Sequence, residues 1–102
     1  MDRIEKLKEF LKDSPADSFL QHALALEYIK QGNDEQAKQL FDAILQREPG
    51  YVGSYYHLGK LLERTANHEE AISVYERGMI AARKAADNHS LNELRMAKEE
   101  LE

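Results

Sequence analysis

The sequence predicts an all-α protein, a right-handed superhelical stack of antiparallel helix pairs with about six helices. Two observations support this: residues 34 positions apart match in kind, and apolar residues recur at helical rather than alternating spacing. A period of 34 residues is the length of a helix-turn-helix unit, and such units bury a continuous core when they stack. The matching series are Leu7, Phe41 and Tyr75; Leu11, Leu45 and Met79; and Pro15 and Pro49.

The first two helices are separated by a proline. Pro15 ends the first helix, because proline disfavours helical geometry in the residue before it. Ser14, followed by Pro15 and an acid, predicts the start of the second helix, with Ser14 as its hydroxyl cap. This helix is expected to run to about Gln31, where Gly32 and Asn33 tolerate the left-handed backbone that ends helices.

The third and fourth helices are predicted at 34–46 and 51–64, on either side of a Pro49-Gly50 break. Both carry the apolar stripe of a helix that docks on one face. The stripe residues are Ala37, Leu40, Phe41, Ile44 and Leu45 in the third helix, and Tyr55, Leu58, Gly59, Leu61 and Leu62 in the fourth.

The fifth helix, predicted at 68–85, departs from the repeat. Arg83 stands 34 positions after Pro49, so no proline ends this helix and we expect it to run on by about a turn. Ser90 and Glu93 have the spacing of a capping box and predict a last helix that starts there. Its charged outer face would cover the apolar side of the last repeat.

The sequence resembles the tetratricopeptide repeat family. In order along the chain, the family pattern is an aromatic residue, Leu-Gly, an aromatic residue, Ala, an aromatic residue and Pro. The resemblance covers about residues 18–85, where the pattern occurs twice, each time in part. The second repeat supplies Tyr55, Leu58, Gly59, Leu62, Ala71 and Tyr75, with Arg83 replacing the proline. The first supplies Leu24, Ala25, Tyr28, Gly32, Ala37, Phe41 and Pro49, with Gln21 where an aromatic is usual.

The resemblance implies a short bacterial-type tetratricopeptide repeat domain over 1–102, an α-α solenoid. It divides into a half-repeat helix at 2–13, repeats at 18–51 and 52–85, and a C-terminal capping helix at 90–101. Small residues at Ala37, Gly59 and Ala71 are expected to let neighbouring helices approach to about 8–10 Å.

Family members are usually scaffolds, so the resemblance implies a non-enzymatic module that binds a peptide or helix of another protein. The partner would lie on the concave face, lined by the first helix of each pair. The 34-residue offset places these candidate partner-binding residues there: Phe19, His22, Leu26, Lys30, Tyr56, Lys60 and Arg64. The alternative for the apolar ones is packing against the N-terminal helix or a second protomer.

The family's best-known ligand mode, a clamp of Lys, Asn and Arg on a peptide's terminal carboxylate, is not supported. His22 and Leu26 stand where the first two clamp residues would be sought. Lys60 and Arg64 form a basic pair one turn apart that would suit an acidic peptide group. Its alternative is a solvated helix face paired with Glu63.

Composition narrows the function further. A net charge of −5, with no basic run longer than Arg83-Lys84, argues against nucleic acid as a partner. Without cysteine, and with histidines that match no ligand spacing, the sequence predicts no metal, no cofactor and no enzyme activity. No apolar run suits a signal peptide or a membrane span, which predicts a cytoplasmic protein. The alternative function is structural self-association, as a homodimer or end to end.

Overall fold

The computed structural model describes residues 2–102, so Met1, the first residue of the predicted domain, lies outside the described residues. Those residues form six α-helices and no strand, which confirms the predicted fold class. The helices are α1 (Arg3–Asp13), α2 (Ser18–Lys30), α3 (Asp34–Arg47), α4 (Gly53–Arg64), α5 (His68–Lys84) and α6 (Asn88–Leu101).

The chain divides into two compact units of three helices each, Met1–Glu48 and Pro49–Glu102. In the first unit, α2 packs against both α1 and α3. In the second, α5 packs against both α4 and α6, and α4 also touches α6. Short connections make successive helices antiparallel neighbours. Each unit therefore has a core of its own.

The core of the first unit forms around α3. Phe41 and Ile44 are fully buried there, and Ala25 and Ala37 are small enough to let α2 and α3 approach closely. The other buried apolar side chains of this unit are Leu7, Leu24 and Leu45. These residues include the predicted stripe of α3, except that Leu40 is half-buried.

The second unit is spaced by two glycines on facing helices. A Cβ built on Gly59 would lie 2.1 Å from Cε1 of Tyr75, and one built on Gly78 would lie 2.6 Å from Cβ of Tyr55. Neither distance is compatible with a side chain unless a neighbour moves. Gly59 therefore packs directly against the Tyr75 ring of α5, and Gly78 makes a second close contact, with Tyr55 of α4.

The predicted start of α2 is wrong. Asp17, rather than Ser14, caps this helix: its Oδ1 accepts a hydrogen bond from the backbone N–H of Leu20 at 3.0 Å. The backbone N–H of Ser14 is bonded instead to the carbonyl of Phe10, in the last turn of α1, at 3.2 Å. A carboxylate caps as well as a hydroxyl. The chain therefore makes a turn through Pro15 before α2 begins.

The predicted capping box of the last helix is also wrong. α6 begins at Asn88 and not at Ser90, and its N-cap is Asp87. The Asp87 carboxylate accepts from the Ser90 backbone N–H at 3.1 Å and from the Ser90 hydroxyl at 2.7 Å. Ser90 is thus a residue of the first turn, and Glu93 lies near His89 at 3.5 Å instead of closing a cap.

The start of α4 differs from the prediction, whereas the length of α5 agrees with it. α4 begins at Gly53 rather than at residue 51, with no side-chain cap at Val52. α5 has 17 residues where α3 has 14, so the expected extension of α5 by about a turn is confirmed. α5 ends at Lys84, and the left-handed residue Ala86, with φ of 54°, follows its C-cap.

The cap of α6 is expected to weaken in acid. Hydrogen bonds from the Ser90 backbone and hydroxyl hold the pKa of Asp87 below its ordinary value. A depressed folded-state pKa gives stability that is present above the unfolded pKa and is lost as pH falls through the folded one. Amide protection factors in the first turn of α6, which correct the exchange rates for their intrinsic pH dependence, should therefore fall in acid. In Asp87→Asn, which still caps, this pH dependence should vanish, and an unchanged dependence would contradict the assignment.

Candidate partner-binding surfaces

α2 has more apolar surface than its packing against α1 and α3 uses. Phe19, Ala23 and Leu26 follow one another at helical spacing and line a shallow concavity of about 430 Å³. Phe19 is 71% exposed, so most of its side chain is left uncovered by the described residues. We call this the α2 surface, defined by Arg3, Phe19, His22, Leu26, Glu27 and Lys30. It brings together all four residues that the sequence assigned to the first repeat.

The polar edge of the α2 surface is organised by one carboxylate. Oε2 of Glu27 lies 3.4 Å from Nε of Arg3 and 3.1 Å from Nζ of Lys30. The ring of His22 packs edge-on against Phe41, with the centroids 5.6 Å apart. Sequence reasoning missed Arg3 and Glu27, although the spacing of Glu27 and Lys30 is that of an ion pair on one helix face. The edge consists of two cations that share one anion.

The second unit has two clefts between α4 and α6, of about 240 Å³ and 190 Å³. Tyr56 and Glu93 line both clefts, so the two are adjacent. We call this the α4–α6 surface, defined by Tyr56, His57, Lys60, Glu93, Met96 and Glu100. It contains two of the three residues predicted in the second repeat.

Lys60 already has an anionic neighbour. Its Nζ lies 3.6 Å from Oε2 of Glu63 and 5.6 Å from the centre of the Tyr56 ring. The same Glu63 oxygen accepts a hydrogen bond from the hydroxyl of Tyr75. Burial, and then this carboxylate, raise the pKa of Tyr75 well above its ordinary value. This ion pair with Glu63 is the one expected for Lys60 if its helix face is only solvated and binds no partner.

Arg64, the third predicted residue, is exposed and lines neither of these two clefts. It acts on the surface through its charge. Burial lowers the pKa of His57; Glu93 opposes this shift and Arg64 adds to it. The neutral form of the His57 ring is therefore favoured over the charged form more than in a free imidazole.

Sequence reasoning missed the contribution of α6 to this surface. It assigned α6 to a cap, and the structure does bury Leu94 and Ala97. The adjoining side of the helix carries Glu93, Met96 and Glu100, which line the clefts together with these two residues. Met96 is 61% exposed, an apolar residue on an otherwise charged face. This apolar residue among polar ones is the signal in the sequence that could have indicated a surface on α6.

No site for a metal ion or a membrane span is seen in the described part of the chain. Within residues 2–102, His, Cys, Asp and Glu side chains nowhere form a group of three that could hold a metal ion. None of the helices described there is long and apolar enough to cross a bilayer.

Comparisons with known proteins agree with this architecture. The tetratricopeptide repeat family model matches residues 28–93. A crystal structure of a tetratricopeptide repeat domain protein from Salinibacter ruber is 41% identical, covers 83% of this chain and 94% of its own, and has a TM-score of 0.80. The solution structure of the Salinibacter ruber domain protein is also 41% identical, covers 85% of this chain and 88% of its own, and has a TM-score of 0.82.

A more distant structure supports the fold alone. The solution structure of a protein from Bordetella parapertussis is 24% identical, covers 99% of this chain and 88% of its own, and has a TM-score of 0.85. Among curated proteins, no significant match is found. The family match spans more than half of the chain and the helices form the predicted all-α solenoid, so this protein belongs to the tetratricopeptide repeat family.

Proposed function

We propose that this protein is a non-enzymatic scaffold that binds a peptide or helix of another protein. The proposed contacts are the α2 surface and three residues of α4, namely Tyr56, Lys60 and Arg64. Tetratricopeptide repeat domains are in general protein–protein interaction modules, and most are not enzymes. The proposed setting is the cytoplasm, because a chain without cysteine suits a reducing compartment.

The observation that carries this proposal is the exposure of Phe19 inside a concavity. Its ring is 71% exposed beside Leu26. Covering a side chain of this size contributes about 1.5–3 kcal/mol. A concave apolar patch with a charged edge is the form that a peptide-binding surface takes. Phe19, His22, Leu26 and Lys30 are the residues that we assign to partner contact in the first unit.

In the second unit we assign Tyr56 as the aromatic anchor, with Lys60 and Arg64 as charged contacts. Tyr56 is half-buried and lines both clefts, which leaves part of its ring for a partner. Tyrosine and arginine are enriched among the few residues that carry most of an interface's energy. These assignments are independent of those in the first unit, so each can be tested separately.

The experiment is site-specific photo-crosslinking in the native cell. A benzophenone-bearing phenylalanine replaces Phe19 in one variant and Phe10 in the other. Phe10 is the matched control, since it is 59% exposed on α1 and does not line the concavity. We expect position 19 to form a defined adduct with another polypeptide and position 10 to form none. Equal labelling at both positions, or none at position 19, would exclude the α2 surface as the partner-binding site.

Phe19→Ala gives the quantitative form of this test. Because the ring is exposed, the free energy of unfolding should change by less than about 0.5 kcal/mol. Binding of the crosslinked partner, measured by calorimetry with purified proteins, should fall by at least about tenfold. A variant that binds normally would refute the role of Phe19, while Phe10→Ala serves as the unaffected control.

Self-association is the second candidate function, and two exposed side chains favour it. Phe10 is 59% exposed on α1 and Ile80 is 52% exposed on α5, and neither lines the surfaces described above. Copies that dock through such residues would form a homodimer or an end-to-end array. Sedimentation equilibrium separates the two functions. A monomer at high concentration rules out self-association, whereas an assembly that Phe10→Ser disperses supports it.

A further inference from the structure

We infer that the α4–α6 surface binds a partner segment that carries two basic residues about two helical turns apart, with an apolar residue between them. This inference rests on the interaction role proposed above and adds the chemistry of the partner. It concerns a face that is partly built by α6, which the sequence pattern assigned to capping alone.

The shape of the surface sets the length of the segment. The two clefts share Tyr56 and Glu93 and therefore lie side by side along α4 and α6; we call the pair the trough. Glu93 and Glu100 are seven residues apart on α6, which corresponds to about 10 Å along a helix. The trough thus accommodates about two turns of a helical partner.

The middle of the trough is apolar. Leu94 and Ala97 form its buried floor, and the half-buried ring of Tyr56 stands on the α4 side. Met96 lies between the two glutamates and is 61% exposed. Methionine is flexible and polarisable, so it adapts to apolar side chains of different shapes. An apolar residue of the partner would cover it.

The ends of the trough are acidic. Among the described residues 2–102, no ion pair of Glu100 is seen, and Glu93 faces two imidazoles, His89 at 3.5 Å and His57 across the cleft. His89 is 85% exposed and is charged only when protonated. Lys60, the cation that lines the trough, is paired with Glu63. Two carboxylates therefore remain for a ligand.

The cations of α6 lie elsewhere and do not neutralise these carboxylates. Arg95 donates a hydrogen bond to the side chain of Asn92. Lys98 lies 3.2 Å from Glu102 and 3.8 Å from Glu76. Neither cation lines the two clefts. The acidic character of the trough is thus not cancelled by its own helix.

These features complement a basic segment with an apolar centre. Arginine binds a carboxylate through two parallel hydrogen bonds, which adds geometric specificity. Two arginines seven residues apart on a helix match the spacing of Glu93 and Glu100, and a leucine between them would reach Met96. An acidic segment would instead face like charges.

The test uses synthetic peptides as probes. A fluorescein-labelled, alanine-rich helix of about 16 residues carries arginines seven residues apart with leucines between them. Two control peptides replace the arginines by glutamates or the leucines by serines. In anisotropy titrations with the full chain, we expect the first peptide to bind at least about tenfold more tightly than either control. Equal affinity for all three peptides would overturn the inference.

Two variants of the protein locate the interaction. Glu100→Lys and Glu99→Lys change the net charge equally at adjacent positions, but only Glu100 lines the trough. Glu100→Lys should weaken binding of the arginine peptide by at least about tenfold, and Glu99→Lys by less than about threefold. Circular dichroism verifies that both variants are folded. Equal effects would mean that only overall charge matters, which contradicts the proposed site.

Two further outcomes keep this inference separate from the proposed function. If the wild type binds none of the peptides while position 19 still crosslinks to a partner, the inference fails and the scaffold role stands. If Glu100→Lys dissociates a dimer that the wild type forms without peptide, a second copy occupies the trough. That result would also overturn the inference.

Discussion

Gly78→Ala is expected to destabilise the protein by about 1–3 kcal/mol. Helix propensity alone predicts the opposite, because alanine is favoured over glycine within a helix by about 0.8–1 kcal/mol. The difference comes from packing: the new methyl would lie 2.6 Å from Cβ of Tyr55 and 3.0 Å from Cδ1 of Leu94. The Cβ of Tyr55 is fixed to the backbone of α4, so a helix rather than a flexible side-chain end has to move.

Gly50→Ala is the matched control for this prediction. Nothing lies within 4 Å of a Cβ built on Gly50, and its backbone is not left-handed. We expect a change of less than about 0.5 kcal/mol or a slight stabilisation, because alanine restricts the unfolded chain. Urea unfolding of both variants measures the contrast. An increase in stability for Gly78→Ala would show that α4 and α5 are not in the described contact.

Phe41→Ala should cost about 3–5 kcal/mol, the largest effect expected of a single substitution here. The ring is fully buried in the core of the first unit, and its removal leaves a cavity among packed side chains. A domain of this size has a total stability of about 5–15 kcal/mol, so the variant would lose a large share. The edge-on contact with His22 would also disappear, which connects this core position to the α2 surface.

Phe10→Ala removes the same side chain from an exposed position in the same unit. Because Phe10 is 59% exposed, the change in the free energy of unfolding should stay below about 1 kcal/mol. Denaturation in urea, followed by circular dichroism, compares the two variants. Similar losses for both would mean that the assignment of Phe41 to the core is wrong.

The helices and their order are predictable from the sequence because a 34-residue period constrains many positions at once. The start of an individual helix depends on one capping hydrogen bond. It is therefore harder to predict than the helix itself. At Ser14 and Ser90, an aspartate three residues away serves as the cap instead. Hydroxyl and carboxylate caps contribute similar free energies, so the local sequence does not decide between them.

The candidate surfaces were predictable only where the repeat register holds. In α2, the predicted residues do lie together. The 34-residue offset, however, takes the half-buried Lys60 to Leu94, which is buried. α5 is longer than α3, and α6 therefore does not keep the register of α4. The acidic residues of α6 and the exposed Met96 became visible as a surface only once the helices were placed.

The two glycine contacts separate the parts of the second unit that can vary from those that cannot. The spacing of its helices is fixed where backbone meets side chain, at Gly59 and Gly78, positions that line neither cleft. The cleft side chains of α6, such as Met96 and Glu100, are exposed. Random replacement at such positions, with both glycines retained, would change what the trough recognises while preserving its frame. A library built this way would yield binders of different charge preference on one unchanged scaffold.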